Sequence, residues 1–542
     1  MAVFVGLLLL AYVLFSSYTF QNYITQRISN YVNDKFHTRI AIGEISYDGW
    51  SYFSLRKVMM GDPKSDTLFY AGRLQFNLAG IQVDSLKFKL NHVVVDEGLC
   101  KIITYKDSTF GFDALNAFMD PNDTIPPDPL APPFILELKN LECMDTRFVM
   151  VDSTEEFYTE GYDPFNMEVT DINFRSRNFQ IIEDSLRFDL HNFTCKEKSG
   201  FAINRMEAIA TVSSTTIRLD KMEMVTKHSV LRDYFSLDYK SWDDYSDFEN
   251  KVRFRINLRE SDVDFKDIVY FAPFLKEYDY KARVSGLAKG PLANLDISKI
   301  KASHGKDTYF EGSARLTGLP DIDHTFMDIE ADYASSNAAE VQTISGIEMP
   351  QMLNILGKVV YKGRYTGFYT DFVSFGDIET RFGNIKTDLN MKLPDDVMDA
   401  SYSGSLQVTH FDLGGFLENK SLGLISLSGS VNGKGFDLNH LHSVFDIEAS
   451  EFDFNQYRYT GIAFNAEAKH KKIDANFDIN DSSFVYSGAA LVDLSKPFKH
   501  IKINSFLEDA NPDALHFIKD VNHLGLDLNS DFYFKDFDEN YG

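Results

Sequence analysis

At 542 residues the chain is far too long for one hydrophobic core, so it holds either several domains or a repeating architecture. A formal net charge of −26 and a pI near 4.9 argue against a nucleic-acid binder and against a polybasic dock on lipid headgroups. The 47 Phe and 27 Tyr against 2 Trp favour pleated, half-buried β surfaces. Cys100, Cys143 and Cys195 form no CxxC and no even-numbered framework, so the fold does not rest on disulfides.

Met1 to Gln26 carry no charged side chain, and Val3 to Phe15 are almost wholly apolar. As a helix, Ala2 to Phe20 reach about 28 Å, close to a bilayer core, and residues 1–20 are expected to be an uncleaved transmembrane anchor. No basic n-region or small-x-small cleavage site supports a removed signal peptide. Positive-inside reasoning asks for Lys or Arg before such a helix, yet Arg27, Lys35 and Arg39 follow it, so a basic leader is expected ahead of Met1.

Residues 21–37 read as an amphipathic helix, with Phe20, Ile24, Ile28, Val32 and Phe36 four apart on one face. From Arg39 the period changes to two: Ile40 and Ile42, then Leu74, Phe76 and Leu78, then Leu86, Phe88 and Leu90. Residues 38–121 form a first β region that includes a short helix over Asp113–Asp120, and the Pro-rich stretch 122–133 is a linker. Residues 134–542 continue as strands, with short helices expected at Ser335–Ser345, Pro350–Gly357, Leu413–Glu418 and Pro512–Lys519. The chain stops inside a strand-like pattern at Asp531–Gly542, from which a truncated carboxyl end is expected.

Two phrases recur without a strict period. One runs aromatic-x-Gly-x-apolar-x-apolar: Phe310-Gly312-Ala314-Leu316, Tyr402-Gly404-Leu406-Val408 and Tyr486-Gly488-Ala490-Val492. The other is apolar-x-Gly-x-apolar-x-Gly, centred on Gly286, Gly363 and Gly429. A looser repeat links Leu90–Ile102 with Leu138–Met150, each followed by Asp-Ser-Thr. Such drifting duplication suggests one long sheet. By strand parity the glycines share the apolar side, where they are either gaps for a flexible chain such as a lipid tail, or marks of twist, bulges and close packing.

Signatures of catalysis are missing: no Walker loop, HExxH, GxSxG or GxGxxG opens a helix. His440 and His442 with Asp446 are too few ligands for zinc, and Asp120–Asp128 lacks the turn glycine and closing Glu of a calcium loop. The expectation is a protein that is not an enzyme and uses no metal or cofactor.

Four segments carry a family resemblance: "FQNYIT" (Phe20–Thr25), "RIAIGEISYD", "SLRKVMMGDPKSDTLFYAGRLQFNL" and "LKFKLNHVVVDEGLCKIITYKDSTFGFDAL". With "GPLANLDISKIKASHGKDTYFEGSARLTGLPD" (Gly290–Asp321) they resemble, in order, the amino-terminal and middle regions of TamB/AsmA-like envelope proteins of the Bacteroidota type. The resemblance spans nearly the whole chain. It implies one inner-membrane helix and a periplasmic β-taco, a long sheet curled into an open apolar groove that carries phospholipids between the inner and outer membranes. It also implies a BamA-like outer-membrane partner, TamA, contacted through a carboxyl-terminal domain that is expected to lie outside these 542 residues.

The expected fold is therefore mainly β: a transmembrane helix, a short amphipathic helix, and a long curled sheet with a few short helices. The expected function is lipid transfer along an apolar trough, each shielded CH₂ contributing about 0.8 kcal/mol. Strands about 4.8 Å apart would let roughly thirty of them reach on the order of 140 Å. Expected groove residues are Phe310, Ala314, Leu316, Met327, Ile329, Tyr402, Leu406, Val408, Phe445, Ile447, Phe464, Tyr486, Ala490 and Val492, with glycines Gly286, Gly312, Gly363, Gly404, Gly429 and Gly488. Two alternatives stay open: a scaffold for outer-membrane protein or autotransporter assembly acting through strand edges, and an array of closed β-sandwiches.

Overall fold

The computed structural model describes residues 39–48, 52–61, 64, 66–82, 87–109, 135–182, 185–276, 280–345, 349, 351–394, 399–436 and 439–535. The expected anchor, the amphipathic helix, the Asp113–Asp120 helix and the Pro-rich linker lie outside these residues. No helix among the described residues is long and apolar enough to cross a membrane.

The protein is mainly β, and its strands belong to one open sheet. Two compact units divide at Lys289/Gly290. The first holds β1 (Arg39–Asp48), β2 (Tyr52–Gly61), β3 (Thr67–Gln82), β4 (Lys87–Thr104), β5 (Ile135–Asp152) and β6 (Asn166–Ile182). It continues through β7 (Ser185–Glu197), β8 (Ala202–Val212), β9 (Thr216–Thr226), β10 (Val230–Asp238) and β11 (Arg253–Asp264), and β12 (Lys281–Pro291) follows. The second unit contains β13 (Asn294–His304), β14 (Thr308–Thr317), β15 (Phe326–Ser336), β16 (Val359–Phe368), β17 (Asp371–Thr380), β18 (Gly383–Lys392), β19 (Ser401–Asp412) and β20 (Leu422–Lys434). It runs on through β21 (His442–Phe454), β22 (Tyr457–Tyr459), β23 (Ile462–Lys469), β24 (Lys472–Asp481), β25 (Phe484–Asp493), β26 (Phe498–Ala510) and β27 (Leu524–Lys535).

Most sequence neighbours pair antiparallel, as period-two segments joined by short turns do, although β23 skips the short β22 to pair with β21, and one pair is parallel. β4 and β5 lie parallel, with Leu90 opposite Leu138 and Ile102 opposite Met150. The loose sequence repeat is thus two equivalent strands stacked in register. Its Asp-Ser-Thr tails also fold alike: Thr109 Oγ1 donates to Asp107 and Thr154 Oγ1 to Asp152, both at 2.6 Å.

A second regularity emerges only with the strand register. Many strands contain two polar residues between apolar ones, and the second polar residue adopts a left-handed backbone: Lys57, Asn192, Lys221, Lys299 and His410 have φ of 52°, 51°, 52°, 54° and 46°. The extra residue forms a β-bulge. Ile297 and Ile300, three apart, face Ala314 and Gly312, two apart, so both isoleucines stay on one side. Val408 and Phe411 likewise face Leu427 and Ile425. In the first unit the same device gathers Leu190 with Phe193 and Leu219 with Met222 into a single core cluster around Met206 and Ala208.

The helices are short. Ala338–Ser345 begins after β15 rather than at Ser335, because Asn337 Oδ1 caps it by accepting from Glu340 N at 2.9 Å. The expected Pro350–Gly357 helix is a 3-10 turn over Gln351–Leu356, and Leu413–Phe416 is one helical turn capped by Asp412. Pro512–Lys519 is a set of turns, not a helix, because His516 at φ 62° breaks the right-handed path. Leu515 in that segment is 2% exposed and seals a cluster with Tyr459, Leu507 and Ala510.

Glu340 ties the short helix to the β13–β14 hairpin: its carboxylate accepts from Thr308 Oγ1 at 2.6 Å, Lys306 N at 2.9 Å and Thr308 N at 2.8 Å. These bonds, the Thr308 hydroxyl first, hold its pKa down at about 2. With the folded-state pKa depressed, the clamp stabilises the hairpin above the ordinary carboxylate range and is lost as pH falls through it towards about 2. Amide-exchange protection at Lys306–Thr308 should accordingly hold from pH 7 to about 5 and weaken below it in the wild type, but be low throughout in Glu340→Ala. The bulges make a separate prediction. Lys299→Val should destabilise the protein by about 1–2 kcal/mol in urea melts, while Lys299→Gly stays near wild type, because only the former is penalised at positive φ.

Candidate functional site

Register alone sorts the side chains of the second unit onto two faces. Phe310, Gly312, Ala314 and Leu316 of β14 lie opposite Ala334, Ala331, Ile329 and Met327 of β15. Ile329 and Met327 in turn face Tyr365 and Gly367 of β16, and Gly363 faces Gly376 of β17. The row continues through β18 to β19, where Tyr402, Gly404, Leu406 and Val408 meet Met391, Leu389, Thr387 and Ile385. Gly429 of β20 pairs with Leu406 and with Ile447 of β21, Val431 pairs with Phe445, and Ile447 pairs with Phe464 of β23. Phe464 faces Phe477 of β24, which faces Gly488 of β25, with Tyr486, Ala490 and Val492 alongside. Every expected groove residue is therefore on one face of this unit. Gly286 sits in β12.

This face is apolar but not sealed. Along β17 and β18 its residues are half-buried while those between them are exposed. Leu406 is 41% exposed, and the fully covered members are mostly small, such as Ala449, Ala466 and Ala475. Among the described residues of this unit, clustered core lies at one end of the strands. There Tyr486 joins the cluster around Leu507 and Leu515, while Phe382, Phe411 and Phe416 pack at ring separations of 5.6–6.0 Å. Tyr486 is thus core as much as open surface.

Of the two readings of the glycines, the geometry of the second unit carries close packing rather than gaps. A Cβ on Gly312, Gly363 or Gly404 would collide with the carbonyl oxygen of Glu330, Phe375 or Asp388 on the adjacent strand. Neighbouring rings also fill the space: Tyr361 lies against Gly363 and Gly376, and Phe477 against Gly488. Gly429 is the roomiest of these, its nearest neighbours being 3.1 Å from a built Cβ.

The opposite face carries the charges as cross-strand pairs, which keeps them off the apolar side: Lys301–Glu311 at 3.1 Å, Lys362–Glu379 at 2.9 Å, Arg364–Asp328 at 2.6 Å and Lys392–Asp371 at 3.1 Å. The Arg364 guanidinium lowers the Asp328 pKa, and the Lys301 ammonium lowers that of Glu311. His442 bonds Glu467 at 3.0 Å. Among the described residues no cluster of His, Cys, Asp and Glu has the arrangement of a metal site. The cysteines are unpaired, and burial pushes Cys143 up to about 12, so it stays a thiol at neutral pH.

No family model, curated protein or solved structure matches the chain.

An uncovered apolar face predicts a contrast in melting. Leu406→Asp should cost no more than about 1 kcal/mol, whereas Leu515→Ala, in the sealed cluster, should cost about 2–5 kcal/mol. Equal losses in the two melting curves would mean that Leu406 belongs to a closed core.

Proposed function

We propose that this protein holds and passes phospholipid acyl chains along the apolar face of its sheet, as an envelope protein of TamB/AsmA-like type, anchored in the inner membrane with its body in the periplasm. The observation that carries the reading is the continuity of that face: strand after strand from β13 to β26 places apolar side chains on one side, with charges on the other. An acyl chain in water is unfavourable by about 0.8 kcal/mol per CH₂. A continuous apolar surface removes that penalty at every point along its length, so a lipid can slide without a tight site or a large barrier between sites. The half-buried state of large side chains on this face supports a sheet curled towards it, since concave packing crowds neighbours without a covering layer. Closed sandwiches fit less well, because a second layer would bury side chains such as Leu406. The role is binding and conduction, not catalysis.

One observation favours the second reading, a scaffold for outer-membrane protein assembly. β27 pairs with β26, and its Leu524, Leu526, Leu528 and Phe532 are 40–52% exposed, a surface on which a client strand could add.

Site-specific photocrosslinking in cells separates the two. Probes at Phe310, Leu406 and Val492 should give phospholipid adducts. Probes at Glu311, Gln407 and Leu491 on the opposite face should not, although Leu491 is itself apolar and exposed. Protein adducts concentrated at β27, with lipid adducts at neither face, would establish the scaffold reading instead.

A further inference from the structure

Net charge averages over a chain, whereas register concentrates residues that are distant in sequence. At one end of the second unit's strands, cross-strand pairing builds such a concentration. Lys392 pairs with Ser401, and Ser401 with Lys434. Lys434 pairs with His442, His442 with Lys469, and Lys469 with Lys472 across the β23–β24 hairpin. Beyond it come Asp493 and His500. Like charges directly opposite one another destabilise a sheet, so the facing Lys469 and Lys472 are unfavourable in the protein by itself. Anionic neighbours relieve part of this: Asp371 pairs with Lys392, Glu467 with His442, and Asp493 with Lys472 at 3.8 Å. Lys434, Lys469 and the hairpin-tip Lys471 have no ion-pair partner among the described residues.

Two further features lie at this end. Phe436 and Phe498, two residues from Lys434 and His500, are 51% and 58% exposed. Exposed aromatics beside lysines suit the boundary between headgroups and hydrocarbon. A cleft of about 610 Å³ at this end is lined by Lys469, His470, Lys472 and His500, by the carboxylates of Glu467, Asp474 and Asp493, and by Ile473, Leu491 and Val492, so cations, carboxylates and apolar side chains border one space. The opposite strand ends are occupied by the aromatic and Leu515 clusters.

We propose that this basic row is a rim that receives the phosphate of an anionic phospholipid headgroup while the acyl chains lie on the adjacent apolar face. The proposal rests on the lipid-carrying reading above. By register the row has the parity of the charged face, and at the strand ends lysine stems are long enough to bring their ammonium groups round to a headgroup whose acyl chains lie on the apolar face. A row, unlike a single pocket, offers a succession of equivalent partners from β20 to β24.

The test uses the full-length chain in nonionic detergent, offered fluorescently labelled phosphatidylglycerol or phosphatidylcholine, with bound lipid resolved on native gels. The wild type should prefer phosphatidylglycerol about five-fold at low salt, and salt should erode the preference. The triple variant Lys434→Gln, Lys469→Gln, Lys471→Gln should lose the preference while loading phosphatidylcholine as before. Lys420→Gln with Lys519→Gln, beyond the opposite strand ends, should keep it. If the wild type loads both lipids equally, or the triple variant retains the preference, the rim is overturned and the apolar-face reading survives. If the wild type loads neither lipid, both fall.

Discussion

One constraint organises this protein: apolar side chains must stay on a single face across many strands whose backbones do not keep a perfect period of two. A one-residue slip turns every later side chain of a strand to the other face. The left-handed residues at Lys57, Asn192, Lys221, Lys299 and His410 absorb that slip, so the apolar residues on either side of each bulge point the same way. Each bulge is locally strained, but without it half of the strand would expose its apolar residues among charges.

Given one apolar face, the rest follows from where it is covered. At one end of the second unit's strands, turns and short helices bring Leu515 and a group of phenylalanines over it and form a true core. Along β17 to β19 the large side chains of the face stay half-buried or, like Leu406, exposed. That arrangement leaves a surface too apolar to be a plain exterior and too open to be an interior, and on it the proposed function rests. In the proposed reading, the basic row at the other strand ends adds polarity to the same layout, with hydrocarbon on the face and phosphate at the rim.

The family resemblance implies lipid transfer, whereas the residues alone leave the glycine-bearing face open between a groove for a flexible chain and close packing. The glycines show why. By parity they belong to the apolar face, and so they do in the second unit, but whether they leave hollows depended on neighbours distant in sequence. Adjacent carbonyls and the rings of Tyr361 and Phe477 occupy that space.

The sequence by itself determined the β class, the strand positions and the apolar parity of residues such as Leu406, Phe445 and Ala490, because side-chain direction in a strand is a local property. It also held the β4–β5 repeat and the apolar-polar-polar-apolar spacing of the bulges, though the spacing becomes meaningful only with a partner strand that counts two against three. Tertiary structure alone decided what covers the face and which cations stand side by side. It also decided that Pro512–Lys519 turns rather than coils into a helix. Lys434 and Lys472 are neighbours in one row only because intervening strands pair in a particular register, and that register is a long-range property no local window contains.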